Sequence, residues 1–157
     1  MHNENRSLCP LRTVIEFRQR PLYVGIPTKV TKRKMSSRLQ SVAPVIRLNS
    51  RTMGPTISLF SDMGFMPDVL LGDPPRFAMM HRDELTVMLE CKFTIPWKYS
   101  GWAVYFWVSE LSLLRAEFIK SGINQISDIV KKDYGCLEFK VRMPDKRSLV
   151  FGERTVS

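Results

Sequence analysis

The last third of this 157-residue chain constrains its fold more than any other part. The run Trp102-Ala103-Val104-Tyr105-Phe106-Trp107-Val108 predicts a strand. It leads into a helical pattern with Leu111, Leu114 and Phe118 as its buried stripe, closed by Ser121-Gly122-Ile123. Ser109 suits the N-cap of that helix, and Glu110 its first turn. Strands follow near Gln125–Lys131, Leu137–Arg142 and Ser148–Phe151, with Met143-Pro144-Asp145-Lys146-Arg147 as a turn.

The same order occurs once before. Val45-Ile46-Arg47-Leu48 predicts a strand. Asn49 to Thr52 supplies cap chemistry, and Met53, Ile57, Phe60 and Gly64 lie at near-helical spacing. Val69-Leu70-Leu71, bounded by Pro67, then Phe77 to His81 and Leu85 to Lys92 give three strands, the last two joined at Arg82-Asp83-Glu84. Phe60-Ser61-Asp62-Met63-Gly64-Phe65 and Phe118-Ile119-Lys120-Ser121-Gly122-Ile123 close the two helices alike, at a period near 58 residues. The fold class is therefore α+β: two βαβββ modules forming a cupped mixed sheet with helices on its outer face. The modules span about 43–92 and 101–153, within a domain at 42–154, and Phe93 to Gly101 links them.

The formal charge of +9 sits mostly in the leading segment. Residues 1–40 carry nine Lys/Arg and two Asp/Glu, whereas the other 117 carry fifteen and thirteen. A domain that grips nucleic acid would carry the positive charge itself, so no specific nucleic-acid partner is expected. Residues 1–41 read as a basic N-terminal extension, flexible or not native. An organellar transit peptide, a nonspecific binder of anionic surfaces and a translation start at Met35 are the alternatives. No apolar run approaches the roughly 20 residues that span a bilayer. Cys9, Cys91 and Cys136 are odd in number and lack metal-type spacing, which predicts reduced thiols in the cytoplasm.

Asp133-Tyr134-Gly135, then Glu138-Phe139-Lys140-Val141-Arg142-Met143-Pro144-Asp145 and Phe151-Gly152-Glu153, resemble the ending of the glyoxalase/bleomycin-resistance family, the vicinal-oxygen-chelate superfamily. Ala43 to Leu48, Phe60 and Gly64-Phe65 are similar to its opening. Met143, Lys146, Arg147 and Ser61 depart from the pattern. The resemblance implies a homodimer. In its enzymes it implies a divalent metal held from the first and last strands of each module. Those positions fall on Ala43, on or near Glu90, on Ala103 and on Val150. Three of the four lack a donor atom, and His2 and His81 fall at neither first strand. No catalytic residue, metal ligand or cofactor is therefore assigned.

Strand alternation places the remaining cup residues. If Ala43 and Ala103 point inward, so do Val45, Arg47, Tyr105 and Trp107. Thr86, Met88 and Glu90 share a face, and Ser148 joins Val150. Arg47, Met88, Glu90, Tyr105 and Trp107 form the expected ligand-binding set. The aromatics would stack on a planar or cationic ligand, and Arg47 or Glu90 would orient it. Alternatively, the rings fill a collapsed cavity or a dimer seam and Arg47 pairs with Glu90. Glu138 and Asp145 read as exposed or turn residues. The leading function is a metal-free small-molecule binding protein of the bleomycin-resistance type, sequestering an aromatic or cationic compound. A lyase, thiol transferase or dioxygenase relative with an altered metal site, and a non-catalytic interaction module, are the alternatives.

Overall fold

The computed structural model describes residues 41–92 and 101–155. The basic extension, Met35, Cys9 and most of the linker lie outside the described residues. The first module runs β1 (Val45–Leu48), α1 (Ser50–Asp62), β2 (Met66–Leu71), β3 (Phe77–Arg82) and β4 (Leu85–Cys91). The second runs β5 (Trp102–Trp107), α2 (Leu111–Lys120), β6 (Val130–Lys132), β7 (Cys136–Arg142) and β8 (Ser148–Arg154). Each module forms its own four-stranded sheet, in the orders β1-β4-β3-β2 and β5-β8-β7-β6. The first strand of each pairs parallel with the last, and the other pairs are antiparallel. The expected α+β arrangement of two repeated modules is the arrangement found.

Local chemistry explains most boundaries. The Asn49 side chain accepts from Thr52 N at 3.0 Å and caps α1. Both helices end in a left-handed glycine, Gly64 at φ 84° and Gly122 at φ 89°. The following amides return to the last turn, Phe65 N to Phe60 O and Ile123 N to Phe118 O. The start of α2 differs from expectation. Its N-cap is Glu110, not Ser109, in the left-handed region at φ 56° with no side-chain cap of its own. The cap arrives from β8 instead. Glu153 accepts from Glu110 N at 2.9 Å and from Leu111 N at 3.2 Å. Pro67 lies inside β2 rather than bounding it. It is tolerated because β2 is a sheet edge, and the register shifts between Pro67 and Val69. The predicted strand at Gln125–Lys131 shrinks to β6 plus an isolated bridge, Ile126 to Val141.

The helix-facing side of each sheet is core. Ile46, Leu48, Ala78, Met80, Val87 and Leu89 are buried with Met53 and Phe60 of α1. In the second module Phe106, Phe151 and Phe139 stack at 5.0 and 5.1 Å, and Phe118 of α2 meets Phe151 edge-on at 5.2 Å. Burying a phenylalanine is worth about 1.5–3 kcal/mol, so this stack is a principal stabiliser of the module. Phe65 reaches Phe106 at 6.2 Å and joins the two cores. Arg82 bridges the modules again, donating to Met63 O at 2.5 Å and to Glu117 Oε2 at 2.9 Å.

Candidate functional site

The helix-free faces carry the sequence-predicted set as two clusters. On the first sheet Arg47 is the register partner of Glu90 across the parallel β1–β4 pair, and Arg47 Nε lies 3.3 Å from Glu90 Oε2. Met88 shares this face, opposite Val45 and Met79. Arg47 is well exposed and Glu90 about one-third exposed, so solvent screens the pair and it adds little stability. On the second sheet the Tyr105 and Trp107 rings lie 4.9 Å apart. Arg147 Nη2 donates to Arg47 O at 2.7 Å, which ties the β7–β8 turn to β1.

Two further residues complete the second cluster. Trp102 is 53% exposed, and its ring lies 5.7 Å from Tyr105. Simple alternation puts Trp102 on the opposite face from Tyr105. A bulge between Trp102 and Val104 restores it to the same face, opposite Ser148. The bulge also corrects Ala103, which packs against the core rather than pointing inward. Tyr105 is thus flanked by two indoles, and Trp107 is 55% exposed. Arg154 lies 4.8 Å over the Trp107 ring, and Lys140 lies 5.8 Å over that of Trp102.

The second addition is Glu138, expected at the surface and found 1% exposed. It lies on β7 opposite Gly152 of β8. Tyr105 Oη donates to its Oε1 at 2.9 Å, and Tyr134 Oη donates to the same oxygen. No described residue donates to Glu138 Oε2, which is buried. Burial, then the hydrogen bond and charge of Glu138, pushes the Tyr105 hydroxyl well above the usual phenol range. The bond to Glu138 pushes Tyr134 up to about 12. The expectation of an exposed Glu138 fails because nothing in the sequence says that two phenols roof it over. Asp145 is in its predicted turn, 2.5 Å from Arg147 Nη2. His81 lies partly exposed at the end of β3, with Nδ1 2.7 Å from Asp68 Oδ1. Cys91 and Cys136 are free thiols.

The fold has close counterparts among solved structures. A glyoxalase-related enzyme from Clostridium phytofermentans superposes with a TM-score of 0.61 at 20% identity, covering 76% of this chain and 98% of its own. A bleomycin-binding protein complexed with bleomycin gives 0.61 at 13%, covering 74% and 99%. The bleomycin-binding protein of Streptomyces verticillus, complexed with copper(II)-bleomycin, gives 0.53 at 17%, covering 76% and 100%. This chain has the glyoxalase/bleomycin-resistance fold. No protein-family model matches the sequence, and no curated protein sequence matches it.

The glyoxalase/bleomycin-resistance fold raises the question of a metal. The positions that the resemblance gives to metal ligands hold Ala43, Glu90, Ala103 and Val150. Val150 is fully buried opposite Tyr105, and Glu90 already faces Arg47 and Lys92. Alkyl side chains offer no lone pair, so this donor set does not fit a protein-held divalent metal. Among the described residues, no three His, Cys, Asp or Glu side chains converge. Among the same residues, no helix is long and apolar enough to cross a membrane.

Proposed function

We propose that the chain is a small-molecule binding protein that sequesters an aromatic or cationic compound on the helix-free face of its second sheet, breaking no bond. The ladder of Trp102, Tyr105 and Trp107 carries this reading. Two indoles more than half exposed are costly to present to water, and they offer π faces to a planar or cationic guest. Arg47, Met88 and Glu90 would form the opposite wall of the cup. The bleomycin-binding proteins that share the fold support a binding role for such a face.

The reading extends to setting. Free Cys91 and Cys136 suit a reducing cytoplasm. The exposed apolar residues Met66, Leu70 and Leu71 on edge strand β2 suit coverage by a second copy in a homodimer. Titration with a panel of planar and cationic compounds tests the binding role. Saturable tryptophan quenching with a raised melting temperature is expected from at least one compound. A panel that does neither overturns it. Analytical ultracentrifugation tests the dimer, and a monomer at micromolar concentration removes it.

A further inference from the structure

Buried polar atoms are almost always hydrogen-bonded, and a buried carboxylate oxygen without a donor is costly. Glu138 is half satisfied in just this way. Tyr105 and Tyr134 both donate to Oε1, while Oε2 is buried with no described donor. The fold goes to some length to hold it so. Tyr105 reaches Glu138 only by lying across β8, over the backbone of Gly152.

Resting on the binding role above, we propose that Glu138 Oε2 is the anchor for a cationic N–H group on a planar ligand seated against the Trp102–Tyr105–Trp107 ladder. Tyr105 connects the two parts. Its ring is the middle rung of the ladder, and its hydroxyl is bonded to the carboxylate. A ligand stacked beside that ring therefore places its substituent near Glu138. The ligand class follows from charge. Both phenols donate to Oε1 of this carboxylate, and at Oε2 a cationic donor gains a Coulomb attraction that a neutral donor lacks. An anionic group would meet like charge in a desolvated place. Lys140 and Arg154 sit over the two indoles, and among the described residues neither forms an ion pair with Glu138. Access runs past Tyr134. This residue is 60% exposed on the turn between β6 and β7, and its hydrogen bond to Glu138 is the one a ligand entering from this side would displace.

Benzamidinium and its neutral near-isostere benzamide test the assignment by fluorescence and calorimetric titration. The wild-type protein is expected to bind benzamidinium at least tenfold more tightly than benzamide. Glu138→Gln keeps the acceptor for both tyrosines and puts an amide donor at the orphan position. It is expected to lose the preference for the cation while still binding benzamide. Equal affinities in the wild type, no binding of either probe, or a preference that survives in E138Q overturns the anchor. The binding role itself stands or falls separately, on whether any member of the broader panel quenches. Should E138Q fail to fold, Tyr134→Phe reads the same interaction. It leaves the carboxylate one donor fewer, so benzamidinium should bind a few-fold more tightly, and unchanged or weaker binding overturns the anchor.

Discussion

The phenol of Tyr105 occupies the space that a side chain at Gly152 would need. A Cβ built on Gly152 stands 1.9 Å from Tyr105 Oη and 2.5 Å from its Cζ. The two residues lie on neighbouring strands, with Gly152 paired to Trp107 on one side and Glu138 on the other. The glycine is required here for space, not for a special backbone angle. It opens a channel across β8 through which a side chain of β5 bonds a side chain of β7.

Gly152→Ala is therefore expected to expel Tyr105 from the channel. The variant combines overpacking with the loss of a hydrogen bond to a charged group, a cost of about 2–4 kcal/mol together. Chemical denaturation measures it. The same substitution made in a Tyr105→Ala background should cost much less, because the methyl group then meets no ring. Equal costs in the two backgrounds would show that the contact with Tyr105 is not the cause.

The sequence revealed the repeat and the faces because both rest on short-range rules. Alternation separates Arg47 from Ile46 and Leu48, and Glu90 from Leu89, and the burial pattern follows it. Glycine stops after Phe60 and Phe118 declare the two helix ends. What stayed hidden depends on residues far apart in the chain. Trp102 changes face through one bulge, and a bulge has no reliable signature in an apolar run. Glu153 caps α2 from more than 40 positions away, so Ser109 looked like the better cap. Glu138 is buried by Tyr105, 33 positions upstream, and by Tyr134. Tyr105 and Trp107 were thus legible as neighbours on one face, whereas Trp102 and the buried charge were not.

The Tyr105 and Tyr134 hydroxyls both ionise later in the folded protein than in the unfolded chain, where the phenol value is 10.0. A raised folded value gives stability that is complete below the unfolded value and is lost as pH climbs through the folded one. Stability should accordingly fall between about pH 10 and pH 12 through these two groups. Tyr134→Phe should lose part of that dependence. Phenolate absorbance near 295 nm should show two late-titrating tyrosines in the wild type, and one fewer in the variant. A wild-type curve in which every tyrosine titrates near 10 would contradict the hydrogen bonds to Glu138.

Glu153→Gln keeps the shape of the α2 cap but halves its acceptors and removes its charge at a helix N-terminus. The expected cost is about 0.5–2 kcal/mol. Glu153→Ala should reach the upper part of that range, because both Glu110 N and Leu111 N lose their partner. Ser109→Ala should change stability by no more than about 0.5 kcal/mol, since Ser109 is not the cap. A larger effect at Ser109 than at Glu153 would reverse the assignment.

Gly64 and Gly122 have nearly the same backbone angle but different neighbours. A Cβ on Gly122 meets nothing within 4 Å, whereas one on Gly64 lies 3.4 Å from Arg82 Nη1. Alanine at either position carries the strain of the left-handed region, about 1–2 kcal/mol. Gly64→Ala should cost about as much as Gly122→Ala, because at 3.4 Å its methyl group only touches the guanidinium that bonds Met63 O and Glu117 and lies 5.7 Å from the Phe118 ring. Arg82→Ala removes that clasp outright. It leaves the C-terminal carbonyl of α1 without its cation, at an expected cost of about 1.5–3 kcal/mol. In the R82A background the two glycine substitutions should remain equal. A Gly64→Ala cost that exceeds that of Gly122→Ala in the wild type but not in R82A would show instead that the tethered guanidinium resists the added methyl group.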